Sequence, residues 1–398
     1  MADKKAASKR SKASADIAVK ERSIYSDKPL KFFVIGDNHL KRVDPLGIID
    51  ETGRNTRLTD KIDSIAYFVT KALSEKATHI TFLGDVYDAV NPPEFLRKAF
   101  WDALWPAIQA QVQITIILGN HDTTGAINNF LGEQILLPDN IRIVGGNYFV
   151  ETLTIGELTQ KVIYVPYAKP EVLAEWFKDI KERFGTAAIL FGHFEVDGAE
   201  LAPDNAKLQE GFPKEVVTGL ANIVWLGHIH KFQEFRKGFA YIGSMVKCDF
   251  GEVTNRKIFG IIDMDVDKGA AVLSYQYVDI PQRPMYQVLI AEADVNNLYL
   301  AETIPKEYTE AGVLLKFVLE GSDTWLRSID KQKFRKRFPK AIRVLFDNKK
   351  LDTDRKEGAV MSSNMVDRIH AKVKEKAKDT AHLEALLLVA KEVAEVEL

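Results

Sequence analysis

The sequence predicts an α/β fold in which sheets and helices are layered, and three observations carry that expectation. Five short apolar runs, "KFFVI", "HITFL", "QITIIL", "AAILF" and "NIVWL", lie between residues 31 and 226. Stretches of helical periodicity separate them; in 62–73, Ile62, Ile65, Ala66, Val69 and Leu73 share one face. Each run also stops at a glycine that opens a polar cluster, so the strand ends are sharply marked. Uniformly apolar strands alternating with helices suit a sheet covered on both faces.

The elements follow in chain order. "MADKKAASKRSKASAD" has almost nothing to bury, and residues 1–28 read as a disordered basic tail. Its partner, if it has one, is a weakly held polyanion such as nucleic acid. After the first two runs and the 62–73 helix, helical patterns recur over 94–110 and 171–183. Past residue 231 the texture turns strand-rich, with "KFQEF", "FAYIG", "KIFGIIDMD" and "AVLSYQYVDI". "DIPQRPM" reads as a connector. Beyond it "GVLLKFVLEG" and "AIRVLFD" are strands around a helix, which makes 286–350 a candidate small α+β domain. From Ser362 the pattern is helical, with Leu383, Leu386, Leu387, Ala390, Val393 and Ala394 on one stripe.

At 398 residues, two or three domains are expected. An apolar content of 46% and a charged content of 28% describe an ordinary soluble protein. No run approaches the roughly 18 apolar residues of a membrane span, and no apolar segment near the start has the form of a signal peptide. The single cysteine, Cys248, excludes an internal disulfide framework and suits a reducing, cytoplasmic setting. Cys248 itself reads as a small packed residue. The net charge of -2 conceals an asymmetry. Residues 327–356 carry twelve Lys/Arg against four Asp/Glu, so the body of the chain is acidic.

The chemistry is concentrated in the polar clusters: "GDNH" with Asp37 and His39, "GDVYD" with Asp85 and Asp88, "GNHD" with Asn120, His121 and Asp122, "GH" with His193, and "GHIH" with His228 and His230. They hold five of the eight histidines, leaving His79, His370 and His382 as ordinary packed or surface residues. In open α/β sheets, ligands gather at the carboxyl ends of strands. Imidazole, carboxylate and amide oxygen together suit Mn²⁺, Fe²⁺ or Zn²⁺ better than Ca²⁺. The absence of cysteine among them argues against a structural zinc knot, and the set has the size for two metals sharing a carboxylate. At one-residue spacing, His228 and His230 point to different sides of a turn, so each reaches a different metal.

The ordered series D-x-H, GD-x-x-D, GNHD, GH, GHIH resembles the calcineurin-like metallophosphoesterase superfamily. The continuation "YIGSMVKCDFGE…KIFGIIDMD" and "IPQRPMYQV" looks like its SbcD-type DNA repair nuclease branch. The resemblance implies a layered β-sandwich flanked by helices over 29–280, a small α+β DNA-capping domain over 281–355, and C-terminal helices over 356–398 that dock a partner ATPase. It further implies two divalent ions per chain, Mn²⁺ foremost. One would be held by Asp37, His39, Asp85 and His230, the other by Asp85, Asn120, His193 and His228, with Asp85 bridging. His121 would stabilise the transition state or protonate the leaving oxygen, and Asp122 would orient it. Asp88 stands where some members carry a histidine near the scissile phosphate. Lys331, Lys333, Arg335, Lys336, Arg337 and Lys340 would contact DNA phosphates, or else form a solvated helix face. The loop 41–58, with Arg42, Arg54 and Arg57, departs from the family pattern and is either a phosphate-touching flap or a plain solvated loop.

The partners implied are DNA, an SbcC-like ATPase with a coiled coil, and a second copy of the chain, paired through helices at 94–110 or 126–136. No G-x-x-x-x-G-K-[ST] loop is present, so ATP-driven steps belong to another polypeptide. The implied activity is Mn²⁺-dependent exonuclease action on duplex ends with endonuclease action on single strands. Two alternatives stay open: a stand-alone phosphoesterase acting on small diesters or monoesters, and a non-catalytic scaffold that keeps the fold for assembly.

Overall fold

A computed structural model describes residues 20–124, 127–128, 130, 137–201, 206–209, 211–292 and 305–350. The first elements are β1 (Lys20–Ser26), β2 (Leu30–Ile35), α1 (Thr56–Ser74), β3 (His79–Phe82), α2 (Glu94–Gln109) and β4 (Gln113–Ile117). Next come the short β5 (Thr123–Thr124) and β6 (Ile127–Asn128), then β7 (Ile141–Val144), β8 (Phe149–Ile155), β9 (Leu158–Val165), α3 (Pro170–Phe184) and β10 (Ala187–His193). The series continues with α4 (Lys214–Thr218), β11 (Ala221–Gly227), β12 (Gln233–Arg236), β13 (Phe239–Tyr241), β14 (Ile258–Asp267) and β15 (Ala270–Asp279). Last are β16 (Met285–Ala291), β17 (Leu314–Gly321), the short α5 (Asp323–Ser328) and α6 (Lys331–Arg335), and β18 (Arg343–Lys350).

Two sheets form a sandwich. One has the order β15-β14-β2-β3-β4-β7, the other β1-β8-β9-β10-β11-β13-β12. The strands that carry the polar clusters are parallel neighbours, β2 with β3 and β3 with β4 in one sheet, β10 with β11 in the other. Their carboxyl ends therefore open on the same edge of the sandwich.

Alternation along β2 explains the layering. Phe32 and Val34 face inward and join Phe191, Ile223 and Trp225 of the opposite sheet in the middle of the sandwich. Phe33 and Ile35 face outward and pack with Ile65 and Phe68 of α1 and Phe100 of α2. On the far side, Leu173, Trp176 and Phe177 of α3 cover Ile163, Leu190 and Val224. The sandwich is thus layered helix–sheet–sheet–helix, with every cluster-bearing strand buried on both faces. The apolar stripe of α1 was legible at 3.6-residue spacing; its start is set by Asn55, whose side chain caps Arg57 N.

Four expectations need correction or restriction. Lys20–Ser26, assigned to an unstructured tail, is instead an edge strand paired in parallel with β8 over its whole length. Its polar composition misled, because the stabilisation comes from ladder hydrogen bonds, from Ile24 packing on the sandwich core, and from Glu21 pairing with Arg183 at 2.9 Å. A helix over 126–136 is not what begins there: Thr123 and Thr124 pair with Asn128 and Ile127 in a small hairpin. Residues 131–136, 1–19 and the expected C-terminal helices at 356–398, with their apolar stripe, lie outside the described residues. Among the described residues, no helix is long and apolar enough to cross a membrane.

The unit boundaries also differ from a break at 280. The larger compact unit takes the described residues up to 288 together with 305–317 and 332–345; the smaller takes 289–292, 318–331 and 346–350. Within the larger unit, Met285 and Leu314 pack with Phe250, and Leu46, Ile342 and Leu345 close that cluster. Arg283 adds a two-pronged bond to Asp60 of α1, with Nε 2.8 Å from Oδ2, and donates to Gly312 O at 2.9 Å. Burial of these apolar groups draws the connector and part of the expected capping domain onto the catalytic body.

Phe33 lies between Phe68 and Phe259, with ring centroids 6.0 and 5.7 Å away. Phe33→Ala is expected to cost about 3–5 kcal/mol of stability. Urea unfolding should show this as a lower midpoint at unchanged slope.

Candidate metal centre

The polar clusters meet at the carboxyl ends of β2, β3, β4, β10 and β11, and their side chains form two groups. Asp37, His39 and His230 bring one ligand atom each within 4.8 Å of one another, and so do Asp85, His193 and His228. In the first group, Nε2 of His39 and Nε2 of His230 are 2.9 Å apart. In the second, Asn120 Oδ1 lies 3.0 Å from His193 Nε2 and 2.9 Å from His228 Nδ1. Asp85 Oδ2 stands between the groups, 3.6 Å from His39 Nε2 and 3.4 Å from His193 Nε2. His228 and His230, one residue apart, thus fall in different groups.

Several donors are held through an atom that they do not present to the centre. The amide of His121 donates to Asp85 Oδ1 at 2.9 Å, and the amide of His228 donates to Asp37 Oδ1 at 2.9 Å. Asp37 Oδ2 is buried with no hydrogen-bond partner. His193 Nδ1 donates to Leu83 O at 2.7 Å, which leaves Nε2 as the nitrogen that faces the centre. His228 Nε2 donates to Glu195 Oε1 at 3.0 Å, leaving Nδ1. His230 Nδ1 is 3.5 Å from Glu252, and His39 Nδ1 is 3.4 Å from Asp88.

Two donors at ~2.1 Å from a cation and at right angles to each other are about 3.0 Å apart, close to the nitrogen and oxygen spacings here. The orphaned Asp37 oxygen and the two Asn120 contacts fit the same purpose. The residues present therefore fit two divalent ions of the Mn²⁺, Fe²⁺ or Zn²⁺ class.

The backbone is bent to build this arrangement. Asp37, His39, Asp85 and His228 have φ of 26°, 46°, 49° and 90°, a left-handed region that side chains with a Cβ seldom occupy. Gly119 leaves room for the Asp85 carboxylate, since a Cβ there would overlap Oδ1. Gly84, at φ 106°, could carry no side chain without striking the His193 ring.

Electrostatics follow the same pairing. Burial would lift the Asp85 carboxyl, but His193, His39 and the His121 amide hold it well below the usual range. Burial opposes charge on His193, and Asp85 and Asp37 overcome this to push it up to about 9. His230 is likewise pushed up to about 11 against its burial by Cys248 and Glu252. Burial dominates at His39 and His228, whose imidazoles are lowered. Glu252, despite burial, is drawn down to about 2 by His230 and Lys257. Carboxylate charge converging on imidazoles makes this edge of the sandwich a field for cations.

His121 lies beside the first group, its ring 4.9 Å from that of His39. Its Nδ1 is 3.2 Å from the main-chain oxygen of Asp88. Asp122, expected to orient His121, is fully buried and accepts from the amides of Gly119, Val86 and Tyr87 at 3.0–3.3 Å. Its charge ties the Asn120 loop to the Asp85 loop. Asp88 contributes twice, through its carbonyl to His121 and its carboxylate to His39.

The basic residues lie on and after α6. Lys333, Arg335, Lys336 and Lys340 are exposed, Lys331 and Arg337 partly so. Arg335 Nε donates to Val344 O at 3.2 Å, and Lys331 reaches Asn348 at 3.0 Å. Arg57, expected in the 41–58 loop, stands instead in the first turn of α1, buried against Asp60 and the Lys247 carbonyl, so it is a structural arginine. His79 stacks on Phe32 at 4.4 Å inside the core.

Sequence reading passed over Glu195, Glu252, Lys257, Lys61 and Tyr167. Lys257 Nζ, buried, donates to Glu252 and Ser244 at 2.7 Å and to His230 O at 3.1 Å. Lys61 Nζ, also buried, donates to His39 O at 2.7 Å. The one available signal was an acid two residues past "GH" and another in "FGE". Tyr167 lies against His228, with ring centroids 6.1 Å apart and planes at 27°.

The profile of the calcineurin-like phosphoesterase family matches residues 30–232, just over half of the chain. The SbcD component of the nuclease SbcCD from Bacillus subtilis (strain 168) is 24% identical over 242 residues, which cover 52% of this chain and 61% of that protein. The chain thus spans less than two thirds of that relative's length. Among solved structures, a dimetal phosphatase from Danio rerio aligns with 10% identity and a TM-score of 0.35, over 64% of this chain and 100% of that one. Vacuolar protein sorting 29 from Cryptosporidium parvum aligns with 14% identity and a TM-score of 0.26, over 63% and 98%.

Outer partners of metal-bound imidazoles typically change affinity 10–100-fold. Glu195→Ala is expected to weaken one of two Mn²⁺ binding events by that factor, leaving the other and the melting temperature unchanged. Isothermal titration with Mn²⁺ resolves the two.

Proposed function

The chain belongs to the calcineurin-like phosphoesterase family, and from that premise we propose that it is a two-metal DNA nuclease of the SbcD type. One observation carries the two-metal part: Asp85 Oδ2 stands 3.6 and 3.4 Å from imidazole nitrogens of both donor groups, with its other oxygen held by an amide. Asp37, His39, Asp85 and His230 would hold one ion; Asp85, Asn120, His193 and His228 would hold the other. When bound, such a pair lowers the pKa of a water and neutralises phosphoryl oxygens.

The chain's own residues do the rest. Amides hold Asp85 and Asp37, a carbonyl holds His193, and carboxylates stand at the outer nitrogens of His228, His230 and His39, so little reorganisation is needed when a substrate arrives. His121, with Nδ1 engaged by the Asp88 carbonyl, keeps Nε2 for the phosphate or the leaving oxygen. Asp88 positions both His39 and His121. The DNA substrate is supported by the basic run Lys331, Lys333, Arg335, Lys336, Arg337 and Lys340, which offers phosphate contacts without reading bases. A nuclease component among the similar proteins supports the same reading. Mn²⁺ as the working ion, exonuclease action on duplex ends with endonuclease action on single strands, a role in DNA repair and recombination, pairing with a second copy, and an SbcC-like ATPase as partner complete the proposal. The pairing has one structural support: Phe95 and Trp105 of α2 are exposed large apolar residues.

End-labelled linear duplex DNA with Mn²⁺ tests it. Wild type should degrade the label and Asp85→Ala should lose activity by a factor on the order of 10³. Hydrolysis of a small diester with no action on DNA, even with a partner ATPase added, would leave a stand-alone phosphoesterase. Lys336→Ala with Lys340→Ala should lower the salt dependence of DNA binding by about two in slope of log affinity against log salt, as read by fluorescence anisotropy.

A further inference from the structure

The metal centre shares a wall with a cavity. Tyr167 lies against the His228 ring, and Glu195 accepts from its Nε2. Both also line a cleft of about 570 Å³ whose other walls include Leu173, Phe194 and Phe212. The cleft therefore begins one side chain away from a metal donor. Its size is that of a small-molecule site, and its walls are apolar and aromatic with carboxylates Glu171 and Glu195 at the rim.

The walls are held in place. Phe177 of α3 packs edge-on against Phe194 and Phe212, with centroids at 5.1 and 4.9 Å. The amide of Tyr167 donates to Leu118 O at 2.9 Å, which ties the ring to the loop that carries Asn120. Tyr167 remains 38% exposed, so one part of its surface is open to a ligand.

A cleft so close to the donors has to receive whatever is attached to the phosphate being cleaved. In a DNA strand, the apolar flat group within one nucleotide of the phosphorus is the base. We infer that this cleft receives the base of the nucleotide at the scissile phosphate, with Tyr167 as the ring on which it stacks. Aromatic stacking is indifferent to base identity, and the rim carboxylates can accept from base amino groups. A base seated here has left the helical stack, so a frayed end or a single strand is the form the site takes. The inference rests on the diesterase reading above and specifies its substrate contact.

The test uses two esters with the same leaving group, thymidine 5′-(4-nitrophenyl phosphate) and methyl 4-nitrophenyl phosphate, with Mn²⁺. Tyr167→Ala should raise KM for the thymidine ester about fivefold or more and leave KM for the methyl ester unchanged. Tyr167→Phe should restore the wild-type value, because stacking needs the ring and not the hydroxyl. Equal changes for both esters, or no change for either, would overturn the cleft's role. If wild type cleaves neither ester, or Asp85→Ala cleaves both as well as wild type, the two-metal reading itself is overturned, and the cleft's role with it.

Discussion

The amide of His121 holds one oxygen of Asp85, and the amide of His228 holds one oxygen of Asp37. Each bond joins two strand ends that are far apart in the chain. Each also makes its carboxylate asymmetric, with one oxygen engaged and the other turned to the centre. A charge-assisted bond of this kind is stronger than a neutral one and fixes orientation as well as position. Both donor groups depend on it, because Asp85 stands between them and Asp37 completes the first. Gly119, which leaves room for the Asp85 carboxylate, and the left-handed turn at His228 are conditions for these two bonds.

Such an edge is costly to build. Four of the donor residues occupy positive φ, and backbone strain of that kind persists only where the surroundings over-determine it. Here the surroundings are two sheets whose cluster-bearing strands are covered on both faces, with Phe32, Phe33, Phe191 and Trp225 fully buried. Two buried lysines extend the support to the first group. Lys61 fastens the His39 carbonyl from α1, and Lys257 fastens the His230 carbonyl from just ahead of β14. A buried ammonium with these partners is a rigid post: its desolvation is offset only while the carbonyls and carboxylates around it stay in place.

The region after β11 does more than finish the sandwich. β14 runs antiparallel to β2, so the residue that precedes it, Lys257, arrives beside the turn that carries His230. Glu252, in the "FGE" turn, accepts from Lys257 and stands at His230 Nδ1. The connector then returns along α1 through Arg283 and Asp60, and Met285 and Leu314 close over Phe250. The chain segment expected to form a separate cap is thus partly anchored to the catalytic body by the burial of a few apolar side chains.

Much of the site was legible because its signals are local. A strand saturated with Val, Ile, Leu and Phe that stops at Gly-Asp, Gly-Asn or Gly-His announces both the sheet and the edge where donors gather. The helices at 56–74, 94–109 and 170–184 were likewise visible as apolar stripes. The strand at 20–26 was not, because an edge strand is stabilised by its neighbour's ladder and needs little hydrophobicity of its own. The amide partners of Asp122 were not legible either, since adjacency to His121 in sequence says nothing about which amides a buried carboxylate will meet. Residue types and their order determined the fold class, the donor set and the kind of metal it suits. Only the tertiary structure decided that Glu195, Glu252 and the Asp88 carbonyl hold the rings, and that Tyr167 opens a cleft beside His228. Those contacts join residues distant in the chain, and hydrogen bonds over such separations leave no periodic trace in it.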